Sequence, residues 1–186
     1  MTDPTTLRDL LRSFPFIADQ PEPVVDILLK GADLLRYRMG QPVCRPQQSP
    51  GSMLFLLKGS CRSVVLARRL PHGVATLQKL GPGALLAWSS LSSGRCFETL
   101  IASTEWVMLA VPYASIEEAM RLHPPLAQRV RQSVSAAELF SVLDAYLERF
   151  PRQLGTVVVK AAAELTERVR VVEVSSRQLQ QLGLAG

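Results

Sequence analysis

Apolar residues open the chain at the spacing of a helix. Leu7, Leu10, Leu11 and Phe14 fall on one face, Pro4 suits a first turn, and Asp3 or Thr5 is available as a cap. Thr5 to Phe14 is therefore predicted helical, and the FPF run at Phe14 to Phe16 ends it. A second helix is predicted from about Pro23 to Leu35, with Val24, Val25, Ile27, Leu28 and Leu34 apolar. After Arg38 the texture changes. Met39-Gly40, Gln47 to Gly51, Lys58-Gly59, Pro71 to Gly73 and Gly81 to Gly83 are turn signals roughly ten residues apart. Between them lie short apolar or alternating runs: Gln41 to Arg45, Met53 to Leu57, Ser60 to Ala67 and Val74 to Leu80. Two further strands are predicted at Thr99 to Ala102 and Trp106 to Val111. This is the pattern of a β-sandwich or roll.

Pro112 ends the strands and can open a helix at Tyr113 to Leu122. After HPPL, a single long helix is predicted from near Pro125 to Phe150. Leu126, Val130, Val134 and Ala137, then Leu139, Leu143, Tyr146 and Phe150, form one nearly continuous stripe. Two readings of that stripe stand side by side. It packs along its own domain, or it is the seam of a homodimer built on Leu126, Val130, Val134, Ala137, Leu143 and Tyr146. The remainder, from Pro151 to Gly186, reads as a linker or the start of a further module. It holds a helix-like piece (Thr156 to Arg168), a strand-like piece (Val169 to Val174) and a polar run in which Ser175 or Ser176 can cap a last short helix.

Composition narrows the function classes. The chain has 186 residues, 47% of them hydrophobic and 20% charged, which are values of a globular protein. The net charge of +5 is spread over scattered arginines, so a nucleic-acid surface is allowed without being demanded. No apolar stretch approaches the roughly 20 residues of a membrane span. The N-terminus lacks a signal-peptide core, so a cytoplasmic location is expected, with membrane attachment only through a fused module. Three cysteines (Cys44, Cys61, Cys96) and two histidines (His72, His123) do not offer the closely spaced ligands of a structural zinc site, so no metal is expected. Idle buried thiols are the first reading of the cysteines and a redox sensor the second. The sequence holds none of the phosphate-loop, serine-hydrolase, zinc-peptidase or calcium-loop motifs, and a catalytic role is not expected.

The runs MLFLLKGSCRSVV, LQKLGPGALLAWSSLSSG and ETLIASTEWVMLAVPYASIEEAM carry a resemblance. From about Leu7 to Phe150 the chain resembles the cyclic-nucleotide-binding domain shared by Crp/Fnr regulators and cyclic-nucleotide-gated channels. The resemblance implies an α+β fold: a jelly-roll (cupin-like) β-roll with N-terminal helices and a long C-terminal helix, as one domain over 1–150. It also implies a phosphate-binding cassette, in which amides of a short helix and an Arg hold the cyclic phosphate and a Glu holds the ribose. On that alignment Gly83 matches the first cassette glycine, Ala87 takes the place of the next, and Trp88 takes the place of the Glu. Cys96 or Phe97 falls where the Arg belongs, and the cassette is one residue short.

Both polar anchors are thus replaced. Trp88 cannot accept a hydrogen bond from a ribose hydroxyl, and Arg95 and Glu98 are off register. Loss of a charged phosphate contact lowers affinity by roughly two orders of magnitude, so no cofactor is expected and ordinary cyclic AMP binding is not. The degenerate ligand loop is taken as Gly83, Ala87, Trp88, Ser89, Ser90, Leu91, Arg95 and Thr99. Trp88 either fills the core or stacks on another ligand, Arg95 is either a solvated charge or a contact, and the serines are either turn formers or donors. GPGALLAWSSL and ASTE resemble most the N-terminal domains of cyanobacterial peptidase/ABC exporters. That implies a non-catalytic regulatory domain working on downstream domains of the same polypeptide, without direct nucleic-acid contact. The alternatives are the effector and dimerisation domain of a Crp/Fnr-type regulator lacking its helix-turn-helix, and a self-contained dimeric interaction module.

Overall fold

Glycine turns at the places predicted close a run of short strands into two four-stranded antiparallel sheets. The structure is a computed structural model that describes residues 4–68, 70–147 and 155–165. The chain begins with α1 (Pro4–Arg12) and α2 (Glu22–Leu29). Strands β1 (Asp33–Tyr37), β2 (Pro42–Cys44), β3 (Ser52–Lys58), β4 (Cys61–Leu66), β5 (Val74–Leu80) and β6 (Leu85–Leu86) follow. After these come α3 (Ser89–Ser93), β7 (Thr99–Ala102), β8 (Trp106–Pro112), α4 (Tyr113–Leu122), α5 (Pro124–Gln132), α6 (Ala136–Leu147) and α7 (Gly155–Leu165). One sheet has the order β1-β8-β3-β6 and the other β2-β7-β4-β5. The expected α+β class and jelly-roll fold are what the structure has.

The β3–β8 pair is apolar on both faces. Met53 and Phe55 of β3 stand opposite Val111 and Leu109 of β8, and all four join one core with Leu11, Phe14, Leu28, Ile116 and Leu126 from the helices. The Phe14 ring meets Phe55 edge to face at 5.0 Å. The alternate residues Leu54, Leu56, Met108 and Ala110 point the other way, into the roll, with Trp106, Cys61, Leu100 and Ala102. Each such buried side chain contributes about 2 kcal/mol by area.

A third cluster joins Val65 and Leu77 of β4 and β5 to Ala136, Ala137 and Phe140 of α6 and Val158 and Ala162 of α7.

Three expectations are corrected. The second helix stops at Leu29, because Gly31 takes a left-handed φ of +72° and turns the chain; Asp33–Tyr37 is then a strand, with Leu34 opposite Leu109. The single long helix is two. Ser133 leaves α5 extended, and Ser135 caps α6 reciprocally with Glu138: the Glu138 amide donates to Ser135 Oγ, and the Ser135 amide donates to the Glu138 carboxylate, each at 3.1 Å. Its stripe is divided as well. Leu126 and Val130 are buried in the helical core and Ala137, with Leu143 beside it, in the third cluster, which fits the reading of a stripe packed along its own domain. The Tyr146 side chain and Phe150 lie outside the described residues, as do the strand-like Val169 to Val174 and the cap at Ser175 or Ser176. Third, Cys44 and Cys96, expected as idle thiols, are paired as a disulfide, and Cys61 is a free, buried thiol.

Gly59, in the β3–β4 turn at φ +90°, lets the backbone pass against Trp106. A Cβ there would lie 2.2 Å from the Glu105 carbonyl oxygen and 2.8 Å from Trp106 Cα. Gly59→Ala is expected to lower stability by more than about 2 kcal/mol in urea unfolding. Gly73→Ala, at φ +67° but with nothing within 4 Å, is expected to cost only about 1 kcal/mol. Equal losses at the two positions would refute the backbone clash.

Candidate functional site

The residues from Gly81 to Glu98 hang from the free edge of β3. Gly83 sits at φ +89° and donates its amide to the Leu56 carbonyl at 2.9 Å, which aligns Leu85 and Leu86 on Phe55 and Leu54. Ala87 then adopts φ +59°, a left-handed conformation rarely taken by a residue with a Cβ. It does so at the position that the resemblance aligns with a cassette glycine. Its carbonyl accepts a 2.6 Å hydrogen bond from the Tyr113 hydroxyl at the start of α4. Burial raises the Tyr113 phenol to about 12, against a partly opposing hydrogen bond from Ser90. One short helix, α3, follows and ends at Gly94 with φ +70°. The backbone course of a cassette is therefore present, with its turns and short helix.

The side chains differ from that pattern. Trp88 and Leu91 are half-buried against the helical core. Ser89 and Ser90 are buried, and Ser90 Oγ lies 3.1 Å from Cys96 Sγ. Arg95 is exposed, with its guanidinium 5.4 Å from the centroid of the Phe97 ring. Thr99 is half-buried and opens β7. The disulfide ties Cys96, at the foot of the cassette, to Cys44 of β2.

A cavity of about 110 Å³ lies beneath the cassette. Trp88 and Ser89 form one wall, Gln78 and Leu80 of β5 another, and Val134, Ser135 and Ala136, between α5 and α6, close the third. Glu98 projects into it. Among the described residues, no lysine, arginine or histidine lines it. The structure thus brings Ala87, Trp88 and Ser89 together around one space and leaves Arg95 outside it; Gly83 shapes the turn without lining it. Val134, one of the residues of the expected dimer seam, lines the cavity.

Glu98 is the functional candidate that sequence reasoning missed. Its carboxylate accepts a short hydrogen bond from the Ser63 hydroxyl of β4. Burial pushes the carboxyl above its usual range; the Ser63 bond pulls it down, and the charge of Glu138 pushes it up further. The same burial, with Glu98 nearby, raises the Cys61 thiol to about 12, so it is inert as a nucleophile. A signal for Glu98 was present: residues 98, 100 and 102 share strand parity, and Leu100 and Ala102 are buried.

Residues 34–123 match the family model of the cyclic nucleotide-binding domain. The roll is of the cyclic nucleotide-binding domain type. Solved structures share the fold. The sensor domain of the transcriptional regulator DNR from Pseudomonas aeruginosa is 17% identical with a TM-score of 0.59, over 78% of this chain and 91% of that one. The N-terminal domain of a transcriptional regulator from Streptomyces coelicolor A3(2) is 20% identical with a TM-score of 0.52, over 76% and 94%. The regulatory subunit of a cAMP-independent protein kinase A from Trypanosoma brucei is 16% identical with a TM-score of 0.60, over 76% of this chain and 51% of that one. No curated protein matches the chain by sequence. Within this cyclic nucleotide-binding-type domain, Trp88, which the resemblance aligns with the cassette Glu, lines the cavity; of Cys96 and Phe97, which it aligns with the Arg, Cys96 is in the disulfide and Phe97 lies under Arg95; the acid in the cavity wall is Glu98. Among the described residues no helix is long and apolar enough to cross a membrane, and no group of three or more His, Cys, Asp or Glu is placed to hold a metal ion.

A carboxyl whose folded value is raised favours folding when protonated. That contribution is complete below the ordinary value of 4.5 and is lost as pH rises through the raised value. Glu98→Gln, which cannot ionise, should therefore melt close to the wild type at pH 4 and several degrees above it at pH 8. A gap that does not widen between the two would contradict burial as the dominant influence on Glu98.

Proposed function

We propose that this chain is a non-catalytic sensor domain in which occupancy of the cassette cavity biases the joint between α5 and α6, and through it α6, α7 and the module that follows. One observation carries the reading. Val134, Ser135 and Ala136 form a wall of the same cavity as Trp88, Ser89 and Glu98. Anything that fills or reshapes the space must touch the joint. The joint is also mechanically defined: α5 is held to the connection between α1 and α2 by Arg129, which donates two hydrogen bonds to the Asp19 carboxylate (2.9 and 2.8 Å) and one to the Phe16 carbonyl (3.0 Å). The Arg129 bonds hold the Asp19 carboxyl well below the usual range. Beyond the joint, α6 starts afresh at its own capping box and packs on different strands.

Cyclic AMP is not the ligand in this reading. Burying a phosphate anion opposite a carboxyl, with no cation in the wall, leaves both charges uncompensated.

For the host protein we take the cytoplasmic N-terminal part of an ABC-type peptide or protein exporter, on the wording of GPGALLAWSSL and ASTE. The effector domain of a Crp/Fnr-type regulator is the second reading, favoured by VSSRQLQQLGLAG, which has the composition of an opening helix-turn-helix. Immunoblotting of the native protein separates them: a membrane-pelleting band near roughly 100 kDa fits the exporter, and a soluble band of about 25 to 28 kDa the regulator. The relay is tested by hydrogen exchange. Trp88→Ala should change protection across α6 several-fold while leaving β1 unaltered, and an unchanged α6 refutes the relay.

A further inference from the structure

We infer that the cassette cavity takes a small organic cation that donates hydrogen bonds, of the alkylammonium class, with Glu98 as its counter-ion and Trp88 as its aromatic wall. The inference rests on the reading of this cavity as the sensor site, and adds the ligand chemistry to it.

Three features of the cavity select that class. The first is charge. Among the described residues, Glu98 is the single ionisable side chain in the wall, and it is acidic. An ammonium beside it forms a charge-assisted hydrogen bond, whereas an anion meets repulsion with nothing to balance it. The Ser63 hydroxyl, donating from β4, orients the carboxylate from behind. The second is the indole. Trp88 lines the space from the cassette side, and an aromatic face near an alkylammonium adds attraction that grows as water is excluded. Leu80, Leu85 and Leu86 give the alkyl part an apolar floor. The third is size. At the 10–15 Å³ that one water-sized group needs, 110 Å³ holds roughly seven to eleven such groups. A purine nucleotide exceeds that, and a short amine fits.

The other charge near the cassette argues the same way. Arg95 lies outside on the Phe97 ring and leaves the field inside the cavity to Glu98.

The test follows amide chemical shifts in the 186-residue chain. n-Propylammonium is titrated against 1-propanol, which matches its shape without its charge, and against cyclic AMP. Propylammonium should move the amides of Ser89, Glu98 and Ser135 saturably, and 1-propanol should not do so over the same range. Glu98→Gln should weaken propylammonium at least tenfold, and Arg95→Gln should leave it unchanged. Equal binding of the alcohol, or undiminished binding to Glu98→Gln, would overturn the inference. The amides of Phe140 in α6 and Ala162 in α7 report separately on the relay. If propylammonium saturates the cavity and these stay still, the cation class stands and the relay falls. If cyclic AMP saturates the cavity and moves them, the relay stands and the cation class falls.

Discussion

The pairing of β3 with β8 is the constraint on which the rest of this domain depends. Two adjacent strands buried on both faces must supply apolar side chains on both parities, and Met53 to Leu57 and Trp106 to Val111 do so. One parity of residues seals the roll, and the other makes a floor for α1, α2, α4 and α5. Because β8 takes one edge of β3, the opposite edge is left for β6, and β6 is the attachment of the cassette. The position of the candidate site is therefore a consequence of strand order. The Tyr113–Ala87 hydrogen bond fastens the same loop a second time, from the strand-to-helix corner at the end of β8.

Shape and charge are separable in such a loop. Its course is set by backbone: the left-handed Gly83, Ala87 and Gly94, and the amide of Gly83 on Leu56. Ala87 keeps a glycine-like φ despite its methyl group, whose cost of about 1 kcal/mol is offset by burial in the roll and by the Tyr113 bond. Nothing in that geometry fixes the sign of the charge inside. The cavity carries an acid, Glu98, on the parity of Leu100 and Ala102, and Arg95 of the loop does not line it. In the proposed sensor the loop keeps its backbone course while the charge it presents is acidic.

Much of this was legible from the residue pattern, and the failures have physical causes. Strands bounded by glycine turns were readable because turn chemistry is local: Val74–Leu80, Thr99–Ala102 and the helix Tyr113–Leu122 stand where expected. Strand β1 was not, since DLLRY continues the apolar spacing of α2 as well as it alternates, and only the turn at Gly31 decides. Two-residue β6 has no periodicity to read. The α5–α6 break hid behind a stripe that runs through it, although SAAE at Ser135 to Glu138 spells a capping box. Glu98 was not legible from the family motif, against which it is off register; its parity with the buried Leu100 marks it.

That break gives the stripe its meaning. A continuous helix from Pro125 onward would have been rigid, and its apolar face would have needed one partner surface along its whole length. Divided at Ser133 to Ser135, the stripe serves two cores: α5 belongs to the helical floor beneath β3 and β8, and α6 with α7 belongs to the β4–β5 side of the roll. The backbone groups freed at the break are satisfied locally, by the Ser133 amide on Val130 and by the Ser135–Glu138 box. Changing the angle between the two helices therefore leaves these end bonds intact. The cost lies in the packing each helix makes with its own core, and those cores meet across the cavity that Val134 to Ala136 close. Glu98 lines the same cavity, so the proposed sensor places its chemistry where the two cores meet at the joint.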